Sequence, residues 1–156
     1  ITRYGLRRYN DSFAERNTNF FTLGPRVDYR ALDWLTLTLT YLYERGLADG
    51  HKDTQFADDV SYYLHMVSAG TEVRINRQWD LGFTYIHRRK TFTSGLAGDT
   101  HVGRFDATHQ GIAELRYHMS AAATVMLSFQ YGKRTSTNAL RDFQDSILSI
   151  GGQYRF

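Results

Sequence analysis

Apolar and polar residues alternate along most of this chain with a period of two, and helical periodicity is nearly absent. The clearest stretch is Leu35-Thr-Leu-Thr-Leu-Thr-Tyr-Leu-Tyr43. Its odd positions are apolar or aromatic, while Thr36, Thr38 and Thr40 take the other face. Residues 80–90 repeat the pattern with Leu81, Phe83 and Tyr85, and residues 123–131 with Val125, Leu127, Phe129 and Tyr131. Successive side chains of a strand point to opposite faces. The alternation therefore predicts an all-β chain of eight strands, at 2–9, 19–31, 34–46, 60–76, 79–93, 105–118, 121–134 and 142–156. Pro25 falls inside the second and demands a bulge or a missing ladder bond there.

The connections alternate too. Short turns fall near Leu32-Asp33, Arg77-Gln78 and Met119-Ser120, and longer polar segments at 10–18, 47–59, 94–104 and 135–141. Every second strand carries the same charged motif. Gly24-x-Arg26-x-Asp28-x-Arg30 aligns with Gly70-x-Glu72-x-Arg74-x-Asn76, with Ile112-x-Glu114-x-Arg116-x-His118 and with Gly151-x-Gln153-x-Arg155. Val27, Tyr29, Val73, Ile75, Leu115, Tyr117, Tyr154 and Phe156 interleave with these polar positions. One face is charged with both signs, and the other is apolar and ends in aromatics. Short turns on one side, longer loops on the other and an aromatic-flanked apolar face are the pattern of an antiparallel up-and-down transmembrane β-barrel, apolar outside and polar inside.

Composition is compatible with that inversion. The chain of 156 residues fits a single domain, 1–156. Only 42% of it is apolar, and no run approaches the ~18 apolar residues of a spanning helix. A barrel strand averages to neutral hydropathy because its two faces cancel. Aromatic residues reach 15%, enough for two belts, and there is one proline. The absence of cysteine excludes disulfides, thiolate catalysis and cysteine-ligated metals. A net charge of +3, without a basic helix or phosphate loop, gives no footprint for nucleic acid. No signal peptide is present, which reads as a mature chain or a C-terminal fragment.

The last eight residues, Ser149-Ile-Gly-Gly-Gln-Tyr-Arg-Phe156, alternate and stop on an aromatic. Through Ser149, Gly151, Tyr154 and Phe156 the segment resembles the C-terminal insertion signal of bacterial outer-membrane barrels. The whole chain resembles the small eight-stranded barrels of the OmpA-transmembrane or OmpX type. That resemblance implies an outer-membrane location with both termini periplasmic, extracellular long loops and insertion by the barrel-assembly machinery. It also implies a non-enzymatic role, as an envelope anchor or through the loops in surface interaction. The short, arginine-rich first strand (Arg3, Arg7, Arg8) keeps a second reading open: the C-terminal segment of a larger outer-membrane channel, as in polysaccharide exporters or cytochrome-sheathing porins.

Two residue sets follow from parity. Arg26, Asp28, Arg30, Glu72, Arg74, Glu114, Arg116 and Arg155 fall on the inward face. Eight strands leave an interior just wide enough for side chains, so these charges should pair in one buried network, as an ion pathway or as a salt-bridged plug. Breaking such a pair costs ~3–5 kcal/mol. Arg45, His87, Arg89 and Lys133 continue the outward stripe beyond its tyrosines, with His109 ending that face of the sixth strand. Those cations suit the anionic phosphates of outer-membrane lipid, lipopolysaccharide above all, or simply snorkel at the interface.

Chemistry is sparse. A lipid A-modifying barrel enzyme would need His, Ser and a carboxylate converging at the loop end. His118 and Ser120 sit at a short turn, and His65 and Ser68 lie on opposite faces. His51 and His101 lie in separate loops near Asp49, Asp53 and Asp99, without metal-ligand spacing. No catalytic residue, metal or cofactor is assigned.

Overall fold

The computed structural model describes residues 1–51 and 58–155. They form one antiparallel sheet of nine strands: β1 (Thr2–Arg7), β2 (Thr18–Leu23), β3 (Arg26–Leu32), β4 (Leu35–Ala48), β5 (Tyr62–Arg74), β6 (Trp79–Phe92), β7 (Phe105–His118), β8 (Ala123–Ser136) and β9 (Phe143–Tyr154). The order is β1-β2-β4-β5-β6-β7-β8-β9, with β3 also on β4. Short 3-10 helices, Asp11–Arg16, Asp49–His51 and Ala139–Arg141, lie in the loops.

The ninth strand comes from the proline. The strand expected at 19–31 is cut into β2 and β3 at Gly24-Pro25, where proline has no N–H to give to the ladder. Pairing with β4 resumes in the same register, Leu23↔Tyr43 before the gap and Arg26↔Thr40 after it. Ladder bonds are therefore lost without a change of parity. The chain passes so close to β4 here that a Cβ at Gly24 would run into the Tyr41 carbonyl, and glycine alone fits.

The sheet is not closed into a barrel, which corrects the eight-stranded cylinder expected above. Among the described residues β1 pairs only with β2, β3 only with β4, and β9 only with β8. The sheet nevertheless curls strongly. Side chains from β1, β2, β5, β6, β7 and β8 line one cavity of about 480 Å³. Arg7 of β1 acts electrostatically on Tyr62 and Lys90, although three strands separate β1 from β6 in the sheet.

The faces are inverted relative to a water-soluble protein. The unbroken registers from β4 to β8 keep even-numbered residues on the concave face and odd-numbered ones on the convex face. Among the described residues three hydrophobic side chains are buried, Ala48, Tyr62 and Phe92, against twelve polar or charged ones. The large apolar residues lie outside: Leu39 is 57% exposed, Phe83 48%, Phe129 47% and Ile150 79%. Burial of apolar area, the usual driving force in water, is thus a minor part of the core of this sheet.

Candidate functional site: the polar concave face

The concave face has two ends. The turn end gathers the repeated charged motif. Arg26 donates two hydrogen bonds to Asp28 from Nε and one from Nη2, at 2.9–3.1 Å, and the Thr38 hydroxyl adds another at 2.7 Å. Arg116 bridges two strands, 2.5 Å from Glu114 on its own β7 and 3.3 Å from Glu72 on β5. Arg74 lies 3.8 Å from Asp80, and Arg30 lies 3.6 Å from Asp33 in the turn. Arg155 has no carboxylate within 4.0 Å among the described residues.

These inward residues share a face, but as separate clusters and not as one network. Nor are they dry. The side chains of Arg26 and Asp28 are about half exposed, and Glu72 is 49% exposed. An open sheet lets water reach charges that a closed cylinder would have sealed.

A relay at the same end escaped the sequence reading. His118 Nε2 lies 2.8 Å from Asp80 and its Nδ1 lies 3.0 Å from the Thr124 hydroxyl. Both ring nitrogens of His118 are thus engaged, one by Asp80 and the other by Thr124. His118 and Thr124 are direct cross-strand partners, so the register builds this contact. The sequence offered only His118 and Ser120, and Ser120 instead caps the turn by accepting from the N–H groups of Ala122 and Ala123. His65 and Ser68 do lie on opposite faces.

The loop end is built differently. Arg104 is paired bidentately with Asp106 at 3.0 and 2.7 Å, with both side chains under 10% exposed. Buried Glu44 accepts from the hydroxyls of Thr22, at 2.7 Å, and Tyr62, at 2.5 Å. The Lys90 ammonium lies over the rings of Tyr62 and Phe92, 3.9 and 4.5 Å from their centroids, and Arg104 also faces Phe92 at 4.6 Å. Gly5 leaves room for the Phe20 ring, which carries Arg3 and Arg7 above it.

Above these strands, Asp58, Asp99 and His101 bring ligand-type atoms within 4.8 Å of one another. Each is already engaged: His101 Nδ1 lies 3.1 Å from Asp58 and 2.9 Å from Asp99, and Arg16 Nε lies 2.5 Å from Asp58. Burial acts to raise the pKa of Asp99. Hydrogen bonds from the Ser94 hydroxyl, the Asp59 N–H and His101 outweigh it and hold the carboxyl below its ordinary range. The three read as a latch tying two loops together. Their sequence positions gave no warning because Asp58 lies some forty residues from its partners. Asp53 and Phe156 lie outside the described residues.

On the convex face, Arg45, Arg89 and Lys133 are exposed on the side of Tyr85 and Tyr131. Arg45 stacks over Tyr63 at 5.6 Å and Arg89 over Phe105 at 5.1 Å. Tyr41 is hydrogen-bonded to His65 at 2.8 Å and Tyr85 to His109 at 2.6 Å, and the His87 ring lies 4.6 Å from that of His109. Directly below, Phe83, Tyr85, Phe129 and Tyr131 wall an apolar groove of about 530 Å³ floored by Gly111 and Ala113.

No family model, curated protein or solved structure matches the chain. Of the terminal motif, Ser149 and Gly151 face inward on β9 opposite Ser128 and Met126, and Tyr154 pairs with Ala123.

Proposed function

We propose that the chain forms part of the wall of a bacterial outer-membrane β-barrel, with the convex face in lipid and the concave face lining an aqueous interior. The inverted burial carries this reading: twelve buried polar side chains against three apolar ones, beneath an exposed apolar face. In lipid the transfer cost falls on polar groups, so this distribution is favourable there and unfavourable in water.

Within that frame the short connections lie on the periplasmic side and the longer ones outside. Arg45, His87, Arg89 and Lys133 meet anionic headgroups such as those of lipopolysaccharide, and acyl chains lie along the groove below them. The role is non-enzymatic. Of the two barrel readings, the open sheet favours the larger channel, because unpaired strand edges are not tolerated in hydrocarbon and further strands must cover them. The solvent-exposed charges of the turn end favour it too, since a small plugged barrel would bury them.

The chain lacks cysteine, so single cysteines introduce one label site each. Spin labels at Leu39, Phe83 and Leu127 in bilayers should be relaxed by dissolved oxygen. Labels at Thr38, Thr84 and Ser128 should be relaxed by a water-soluble nickel chelate. The same accessibility at odd and even positions would overturn the membrane reading.

A further inference from the structure

We infer that the loop end of the concave face is a binding site for soluble oxyanions carrying more than one negative charge, of the polyphosphate or polycarboxylate class. The inference stands on side-chain geometry and does not need the membrane reading to hold.

Its first support is a count of partners. Arg7, Lys90, Arg134 and Arg141 all line the cavity of about 480 Å³, and none has a carboxylate within 4.0 Å among the described residues. The carboxylates that line it are spent. Asp58 holds Arg16 and His101, Asp99 holds Ser94 and His101, and Asp106 holds Arg104 and Ser136. Four cations are thus left facing one concavity.

The second support is Lys90. Its ammonium accepts company only from the faces of Tyr62 and Phe92, with no hydrogen-bond acceptor among the described residues. Cation–π contacts offset part of the desolvation of a lysine and leave its three N–H donors free to bond a ligand. An oxyanion would satisfy them and relieve the mutual repulsion of the four cations.

The third is the way Arg134 is held. Its Nε donates to the Arg141 carbonyl at 2.9 Å and its guanidinium lies over Phe143 at 4.6 Å. A guanidinium fixed on one edge keeps its other N–H groups aimed, which is the fork that binds a phosphate or carboxylate bidentately. Arg141 follows on an exposed 3-10 helix and supplies a peripheral charge. More than one charge is specified because single monovalent anions leave most of the excess uncompensated.

The test is calorimetric titration of the folded protein in zwitterionic detergent with inorganic tripolyphosphate at low and high salt. Binding is expected in wild type, weakening as salt rises. Lys90→Gln with Arg134→Gln should lower affinity at least tenfold. Arg141→Gln should lower it severalfold, and because that side chain is exposed and unbonded, this variant keeps its fold even if the double variant does not. Arg26→Gln, at the other end of the same face, should change nothing. Absence of binding in wild type, or an equal loss on Arg26→Gln, would overturn the site.

Discussion

The two ends of the concave face share strands, parity and composition, yet they treat charge in opposite ways. At the turn end Arg26, Arg30, Arg74 and Arg116 each have a carboxylate beside them, Asp28, Glu72 and Glu114 each have an arginine, and Arg155 is the exception among the described residues. Water reaches most of them. At the loop end the paired charges Arg104 and Asp106 are buried, and further cations stand without carboxylates. The strands are the same, so the difference comes from what covers them. Asp59, Ser61, Ser94, Asp99, His101 and Arg104 in the connections after β4 and β6 are buried at the loop end, whereas no residue of the short turns at 75–78 and 119–122 is. Covering a charged face raises the energetic weight of each pairing, for and against.

The sharpest way to break this contrast is to remove one partner from each end. Asp106→Ala should be the most destabilising change, because it leaves Arg104 buried and Ser136 unpaired. The expected loss is ~3–5 kcal/mol in urea unfolding of the protein in micelles. A loss no larger than that of a surface pair would show that the loop end is wet after all.

The latch between the loops tests the covering itself. Asp99→Asn removes charge-assisted hydrogen bonds worth ~1.5–3 kcal/mol. Because Asp99 is more acidic folded than unfolded, its contribution is present above the unfolded value of ~3.9 and is lost as pH falls through the lower folded value. Wild type and Asp99→Asn should therefore differ most at neutral pH and converge in strong acid. A difference that is flat with pH would remove the charge from the explanation.

The smallest effect belongs to Glu72→Ala. The sequence reading placed Glu72 in a buried network, where its loss would cost several kcal/mol. With the side chain 49% exposed and Arg116 still bonded to Glu114, solvent screening leaves ~1 kcal/mol or less. A larger loss would mean that this end is sealed in the assembled protein.

These outcomes also mark what the sequence could reveal. Period-two alternation located every long strand, because a strand writes its two faces into consecutive residues, and the registers put Arg26 and Glu72 on one side of the sheet and Arg45 on the other. Pro25 announced the gap between β2 and β3. Closure was not legible, since whether β1 meets β9 depends on lengths and curvature that no local pattern records. Pairing partners were equally hidden. Arg116 reaches Glu72 across two intervening ladders, and Asp58 meets His101 through loop folding alone. Lys90 carries no local signal in the sequence, and only the rings of Tyr62 and Phe92, brought together by β5 and β6, make it unusual.

The interruption at Gly24-Pro25 removes ladder bonds but keeps count, with Leu23 opposite Tyr43 and Arg26 opposite Thr40. Thr22 and Arg26 therefore stay on one side of the sheet although the ladder is broken between them. The pair works as a spacer of fixed length. Deleting either residue would put β2 and β3 out of step by one position, and one of them would have to turn its polar side chains to the opposite face. Replacing Pro25 is a change of stiffness, whereas removing it is a change of sidedness.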